Sequence, residues 1–422
     1  MDSKNVIEHL KGGDWNSRLG LERMRELLKR LGNPHDKLRY VHVAGTNGKG
    51  SICAMSAQVL TAAGYRTGLY ISPYINRFHE HIQIDGVPIS DQALVEMARR
   101  VQEEADRMAD PPTEFERITA IAFLYFLESC CDIVVLEVGL GGRLDATNVI
   151  SKPEVAVIAP ISLDHMKELG DTVEKIAAEK AGIIKQGCSV VSSPQLPGVT
   201  RVLRDVCALR NASIKFLDQR SVNITRNSLD GIRFRYKRME DIELHLLGAV
   251  QPQNASAVIM VMEQLRSKGW NIGESALREG LRRTRWPARF EIVNKNPWVI
   301  VDGGHNRQCM ESLADNLNTY FPDKKITFVI GFMADKDYRA MLRIILPFAG
   351  RIFTVTPDNP RSMPAEELAE YIRSEGIQEV IACASVESGI KDAMRSETGE
   401  GVICATGTFY MAGTIRNMFV SV

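Results

Sequence analysis

Seven consecutive residues, Gly45-Thr46-Asn47-Gly48-Lys49-Gly50-Ser51, are the chain's densest chemical signal. Small residues there let successive backbone N–H groups turn toward one anion, and a helix N-terminus adds partial positive charge. Lys49 has the reach for the β- and γ-phosphates of a nucleoside triphosphate, and Ser51 offers a hydroxyl to magnesium. The strict Walker spacing is not met. Val43 stands where its first glycine would be, and Gly50 rather than serine or threonine follows Lys49. A glycine-rich turn that binds nothing is the plain alternative. Lysine, serine and a strand–helix setting together favour nucleotide binding. A second signal is Glu137, at a strand end and followed by Gly-Leu-Gly-Gly. Open α/β sheets place ligands at that end, and the glycines suit close backbone approach.

These residues need a scaffold, and the apolar pattern supplies one. Leu21, Met24, Leu27, Leu28 and Leu31 recur at helical spacing over about Ser17 to Leu31, with Gly32 and Pro34 ending the helix. Leu38 to Ala44 reads as a buried strand, Ser51 to Ala63 as a helix, and a second strand ends near Ser72, which makes a βαβ unit. A helix over Glu116 to Glu128 leads to a strand over Asp132 to Val138, and Val155 to Ala159 is another. Asp171-Thr172-Val173-Glu174 has capping-box spacing and opens a helix to about Ile184. From Ser213 to Leu247 short alternating runs around Asp230-Gly231 predict antiparallel hairpins. A helix over Ala255 to Lys268 follows. The chain pauses at Arg285-Trp286-Pro287-Ala288-Arg289. Beyond it, strands at Trp298–Asp302, Ile326–Phe332, Arg351–Thr356, Glu379–Ala384 and Val402–Ala405 alternate with helical stretches. The expected class is α/β: an N-terminal P-loop-type parallel sheet domain over 1–284 with helices on both faces, then a smaller Rossmann-like domain over 285–422.

Composition narrows the partners. Basic and acidic residues balance at 52 each, so no broad field for nucleic acid is present. The eight cysteines include no C-x-x-C pair, which suits buried free thiols in a reducing compartment. The N-terminus lacks a signal-peptide core and no apolar run is long enough to span a membrane. A cytoplasmic monomer acting on small molecules is expected.

Kinases, switch GTPases and ligases share phosphate loops, so the loop names no reaction. The blocks around it are more specific. Leu19-Gly20-Leu21-Glu22-Arg23, Leu31-Gly32-Asn33-Pro34, the 45–51 loop, Ser72-Pro73-Tyr74, Glu137 to Asn148, Leu163-Asp164-His165, Glu179 to Ile183, Trp286 to Arg289, Asp302 to Asn306 and Ala405 to Thr408 occur in order. Together they resemble the folylpolyglutamate synthase family, a relative of the Mur peptide ligases.

That resemblance implies an ATP-dependent ligase joining L-glutamate to a folate carboxylate through an acyl-phosphate, the acceptor being a reduced folate or dihydropteroate. It implies magnesium, two ions, with Ser51, Ser72, Glu137 and His165 as ligands. By pattern alone Ser72 is a plain turn, and His165 is a satisfied structural histidine. Lys180 reads by periodicity as a surface lysine, and the resemblance makes it a carbamylated one. Such a lysine needs a depressed pKa. Asn254 matches an adenine-side asparagine, its bland reading being a helix N-cap. Arg289 suits a phosphate contact, Asp302 a ribose hydroxyl, and His305 is a candidate general base. Three departures stand out: Gly304 and Arg307 within Asp302 to Arg307, Ala288 in Trp286 to Arg289, and His81 where the family has arginine, in a segment expected near folate. A Mur-type cell-wall precursor ligase and a non-enzymatic nucleotide switch are the competing readings.

Overall fold

The computed structural model describes residues 3–11, 18–397 and 399–420. Its larger sheet has eight strands in the order Val87–Pro88, Ile82–Ile84, Thr67–Tyr70, Ile133–Glu137, Tyr40–Ala44, Val155–Ile158, Ser189–Ser192 and Ser213–Phe216. Pairing is parallel from Thr67–Tyr70 onward, and the two short strands at the other edge are antiparallel. Strand alternation sorts the side chains. Val41, Val43, Val135 and Val157 meet the helices Lys49–Ala62, Gln251–Arg266 and Glu274–Arg283 on one face. Tyr40, Val134 and Leu136 meet Glu22–Arg30, Asp91–Ala105 and Glu114–Glu128 on the other. A sheet covered on both faces explains why its strands read as unbroken apolar runs.

The smaller sheet follows residue 290, in the order Glu291–Lys295, Trp298–Asp302, Val402–Thr406, Ile326–Ile330, Ala349–Thr354 and Val380–Ala382. Only the first strand is antiparallel. Helices cover both of its faces as well. Among the described residues no helix is long and apolar enough to cross a membrane, and all eight cysteines are free, five of them buried.

Several expectations are corrected. Ser213–Phe216 joins the large sheet in parallel, and the hairpins begin only at Val222. As an edge strand it alternates between exposed and half-buried, the texture of a hairpin strand. The first strong helix starts at Glu22, and Ser17 lies outside the described residues. Thr172, not Asp171, caps the helix Val173–Lys180, its hydroxyl accepting from Lys175 N–H, and that helix runs on as a 3₁₀ turn. Gln251–Arg266 begins four residues early because Pro252 falls in the first turn, where its missing N–H costs nothing.

Candidate active site

Three neighbouring strands of the large sheet, Ile133–Glu137, Tyr40–Ala44 and Val155–Ile158, deliver their C-terminal ends side by side. Glu137 ends the first of them, and the loops that follow the other two carry the phosphate-loop residues and His165. Gly45 has φ 151°, and a Cβ there would lie 2.5 Å from Ala159 Cβ. Gly48 has φ 83°, and its Cβ would lie 2.9 Å from Asn254 Oδ1. Neither position accepts another residue without strain. The amides of Thr46 and Asn47 both donate to Pro160 O, at 2.9 and 3.2 Å. They fix the loop's shape. The amides of Lys49, Gly50 and Ser51 precede the first helical bond, from Ile52 N to Gly48 O, and so form a cradle that an anion could enter. Lys49 Nζ donates to Thr46 O at 3.3 Å, folded back over that cradle.

Behind it sit two buried ionisable groups of opposite kind. The Glu137 carboxylate is 4% exposed and accepts the Ser72 amide at 3.3 Å. Burial pushes it up to about 7 against the pull of Lys49 and Arg289. Lys180 is 5% exposed, not a surface lysine, and donates to Gly45 O at 2.8 Å. Burial and the nearby Lys49 charge bring it down to about 7.

The residues present fit a hard cation. Ser51 is buried in the helix's first turn, and Glu137 is a buried carboxylate with one backbone amide as its hydrogen-bond partner. Among the described residues no three His, Cys, Asp or Glu side chains cluster as a ready-made metal cage. The Ser51 hydroxyl and the Glu137 carboxylate are hard oxygen donors of the kind magnesium takes while keeping waters and borrowing phosphate oxygens. His165 is exposed, held at φ 49° at the start of the helix Met166–Leu169. Ser72 precedes a cis proline and stands beside Glu137.

The smaller domain closes the front. A cleft of about 670 Å³ runs between the domains, lined by Asn47, Ser51, Asn254, Arg289, Phe290 and Asp302 among others. Asn254 lies inside the first turn of its helix, with its amide on Gln251 Oε1 at 3.1 Å, so it is not the N-cap. The Arg289 guanidinium stacks 4.5 Å from the Phe409 ring centroid. Asp302 accepts the amides of Phe290 and Gly304 at 2.9 and 2.8 Å, which leaves one lone pair on each oxygen for a ligand. His305 Nδ1 donates to Gly303 O at 3.0 Å, so in the neutral ring Nε2 carries the lone pair. Burial holds that ring down to about 4.

Pattern reading missed the bonds between the domains. Asn47 Nδ2 donates to Gln308 Oε1 at 2.6 Å, and Asn306 Nδ2 donates to Asn47 Oδ1 at 2.9 Å. Lys336 Nζ donates to Asp164 Oδ1 at 2.6 Å, both side chains largely buried. Burial works to raise the Asp164 carboxyl, but His165, Lys336 and His305 outweigh it and hold it below the usual carboxylate range. Asp164 and Asn306 stand within the family blocks. Lys336 is 172 residues from its partner and carries no local signal.

A second, larger cleft of about 1570 Å³ opens beside Ser72. Leu19, Tyr74, His81, Phe115, Leu140 and Asp145 line it, with Asp358 and Tyr410 from the smaller domain. The Leu19 to Arg23 block now has a physical basis. Buried Arg23 donates to Glu116 Oε2 at 3.1 Å and to Arg18 O at 2.5 Å, tying the 18–20 segment to the helix Glu114–Glu128. His81, the residue in place of arginine, is part of this wall.

Comparison with known proteins identifies the arrangement. The Mur ligase middle domain matches residues 43–262, and the Mur ligase, glutamate ligase domain matches 288–409. The dihydrofolate synthase/folylpolyglutamate synthase of Bacillus subtilis is 39% identical over 94% of each chain. This chain belongs to the folylpolyglutamate synthase/dihydrofolate synthase family of ATP-dependent amide-forming ligases. Mycobacterium tuberculosis folylpolyglutamate synthase complexed with ADP and AMPPCP superposes with a TM-score of 0.90 at 30% identity, covering 100% of this chain and 99% of that one. Escherichia coli FolC in complex with DHPP and ADP gives 0.88 at 28%, covering 99% and 97%. Membership in this ligase family favours the folate reading over a cell-wall ligase or a switch.

Proposed function

We propose that this ligase joins L-glutamate to the carboxylate of a reduced folate, with ATP in the 670 Å³ cleft and the folate's ring system in the 1570 Å³ cleft. One observation carries the reading. Ser72 lines the larger cleft and gives its amide to Glu137, whose carboxylate is set against Lys49 of the phosphate loop. An acceptor reaching past Ser72 therefore meets the end of the triphosphate. The division near residue 285 into an ATP-binding and a glutamate-ligase-type domain belongs to the same proposal, supported by the change of sheet between Leu244 and Glu291.

In the first step an acceptor carboxylate oxygen attacks the γ-phosphorus, the bond to the β–γ bridging oxygen breaks, and ADP leaves. The glutamate amine then attacks the acyl carbon, phosphate departs, and an amide remains. Lys49 and the amides of residues 49–51 neutralise charge growing on the transferred group. Magnesium held by Ser51, Ser72, Glu137 and His165, with a second ion beside Lys180, would supply further charge neutralisation. The Asn47–Asn306 and Asp164–Lys336 contacts keep the smaller domain over a water-sensitive acyl-phosphate. Arg289 serves the phosphates, and Asn254 and Asp302 the nucleoside. His305, held to about 4, is too weak a base to strip an ammonium group. We place it as a neutral acceptor that orients the incoming amine.

The deciding assay offers tetrahydrofolate and dihydropteroate as acceptors with glutamate and Mg-ATP. ADP release that requires both glutamate and tetrahydrofolate is expected; none with either acceptor rejects the assignment.

Lys180 carries a carbamate in this reading, formed when its neutral amine bonds to CO2 and loses a proton. Its burial and its value near 7 supply that neutral amine. Carbon-13 bicarbonate should give a carbamate resonance at neutral pH that vanishes in Lys180→Met. Its absence from the wild type would remove the modification.

A further inference from the structure

On the nucleotide side the domains meet through polar bonds, whereas on the acceptor side an apolar residue crosses the boundary. Ile75 belongs to the segment that follows the strand Thr67–Tyr70 of the large sheet. Its side chain is nevertheless buried in the smaller domain's core, in one cluster with Ala288, Val301, Met411 and Ala412. The backbones also touch. A Cβ on Gly413 would lie 2.2 Å from Ile75 O and 3.2 Å from Asn76 Cα, so no side chain fits there.

On its own side the segment is stiff. The Glu80 carboxylate accepts the amides of Ile75, Asn76 and Arg77 at 2.9, 3.1 and 3.3 Å. Ser72 and Tyr74, immediately before Ile75, line the acceptor cleft, and Ser72 holds Glu137. A plug in one domain is thus joined through a short rigid arm to two residues of the active site in the other.

We propose that Ile75 is a positioning residue whose seating in the smaller domain's core sets Ser72 and Tyr74, so that domain docking and assembly of the acceptor wall are one event. The inference rests on the acceptor-cleft reading above. It also explains how the acceptor side senses the domain that closes over ATP without touching ATP.

The test compares Ile75→Ala and Gly413→Ala, which disturb the contact from opposite sides, with Ile75→Val and with Ile415→Val from the same cluster. Expected for the first two is a tenfold or larger rise in KM for tetrahydrofolate, with the calorimetric Kd for Mg-ATP within twofold of wild type. Ile75→Val restores most of the loss, and Ile415→Val lowers Tm without moving KM. Hydrogen exchange of amides 75–77 in the unliganded protein should quicken in both disruptive variants, a readout independent of any substrate. If both variants lose only Tm, with KM and exchange unchanged, Ile75 is mere packing and the proposal falls. If Ile75→Ala does not fold, Gly413→Ala decides alone. A wild type inactive on every folate sinks the acceptor reading, and the exchange result then judges the coupling by itself.

Discussion

The two clefts are built on different plans. The phosphate end of the nucleotide cleft is made by one short run of chain, with Gly45, Gly48 and three helix-start amides doing by backbone what no combination of distant side chains does as well. The acceptor cleft takes residues from near 19, 74, 81, 115, 140, 358 and 410, and no segment contributes more than a few. Binding a phosphate demands closely spaced N–H groups, which only local geometry provides. Enclosing a flat ring system demands shape, which any set of elements can supply. The first plan is therefore rigid and localised, the second distributed and tolerant.

The largest effect that tests this contrast is at Lys49. Lys49→Ala should lower kcat by about a thousandfold or more, since one preorganised donor to transition-state charge has that order of value. The Tm should stay within a degree or two, because the ammonium makes a single 3.3 Å bond to Thr46 O. Turnover within tenfold of wild type would mean that the cradle does not hold the transferred phosphate.

On the distributed side a single loss should cost less. Phe115 packs so closely on Gly139 that a Cβ there would lie 2.5 Å from the ring, and it forms part of the acceptor wall. Phe115→Ala should raise the KM for the folate acceptor about tenfold, in line with the loss of one aromatic contact. The KM for ATP should stay within twofold. A parallel rise in both constants would erase the distinction between the clefts.

The same contrast explains what was legible in sequence. The strand–loop–helix around 45–51 and the Trp298–Asp302 strand could be read because both follow from neighbours in the chain. Pattern alone places Lys180 on the surface, since a short helix buried at its C-terminal end has no periodicity to show it. The Lys336–Asp164 bond and the Ile75 plug depend on how two domains meet, and the residue spacing holds no trace of either. Ser213–Phe216 reads as a hairpin strand for a related reason: an edge strand and a hairpin strand expose the same alternate positions.

Glu137 stands between the two clefts and offers the smallest but sharpest measurement. Its folded value near 7 lies above the ordinary carboxylate value of about 4.5. A raised carboxyl is neutral in both the folded and unfolded chain at low pH. As pH climbs from about 4.5 through 7, the unfolded chain loses its proton first, and the folded protein is left paying to bury the charge. The unliganded protein should lose stability across that window, by a few kcal/mol at most from this group. Glu137→Gln keeps the shape and removes the charge, so its Tm should match wild type at pH 4.5 and exceed it at pH 8. Saturating Mg-ATP should reverse the order at pH 8, because only the carboxylate gains from a cation. If the two proteins instead melt alike at both pH values without ligand, the Glu137 carboxylate is solvated and not buried as its 4% exposure requires.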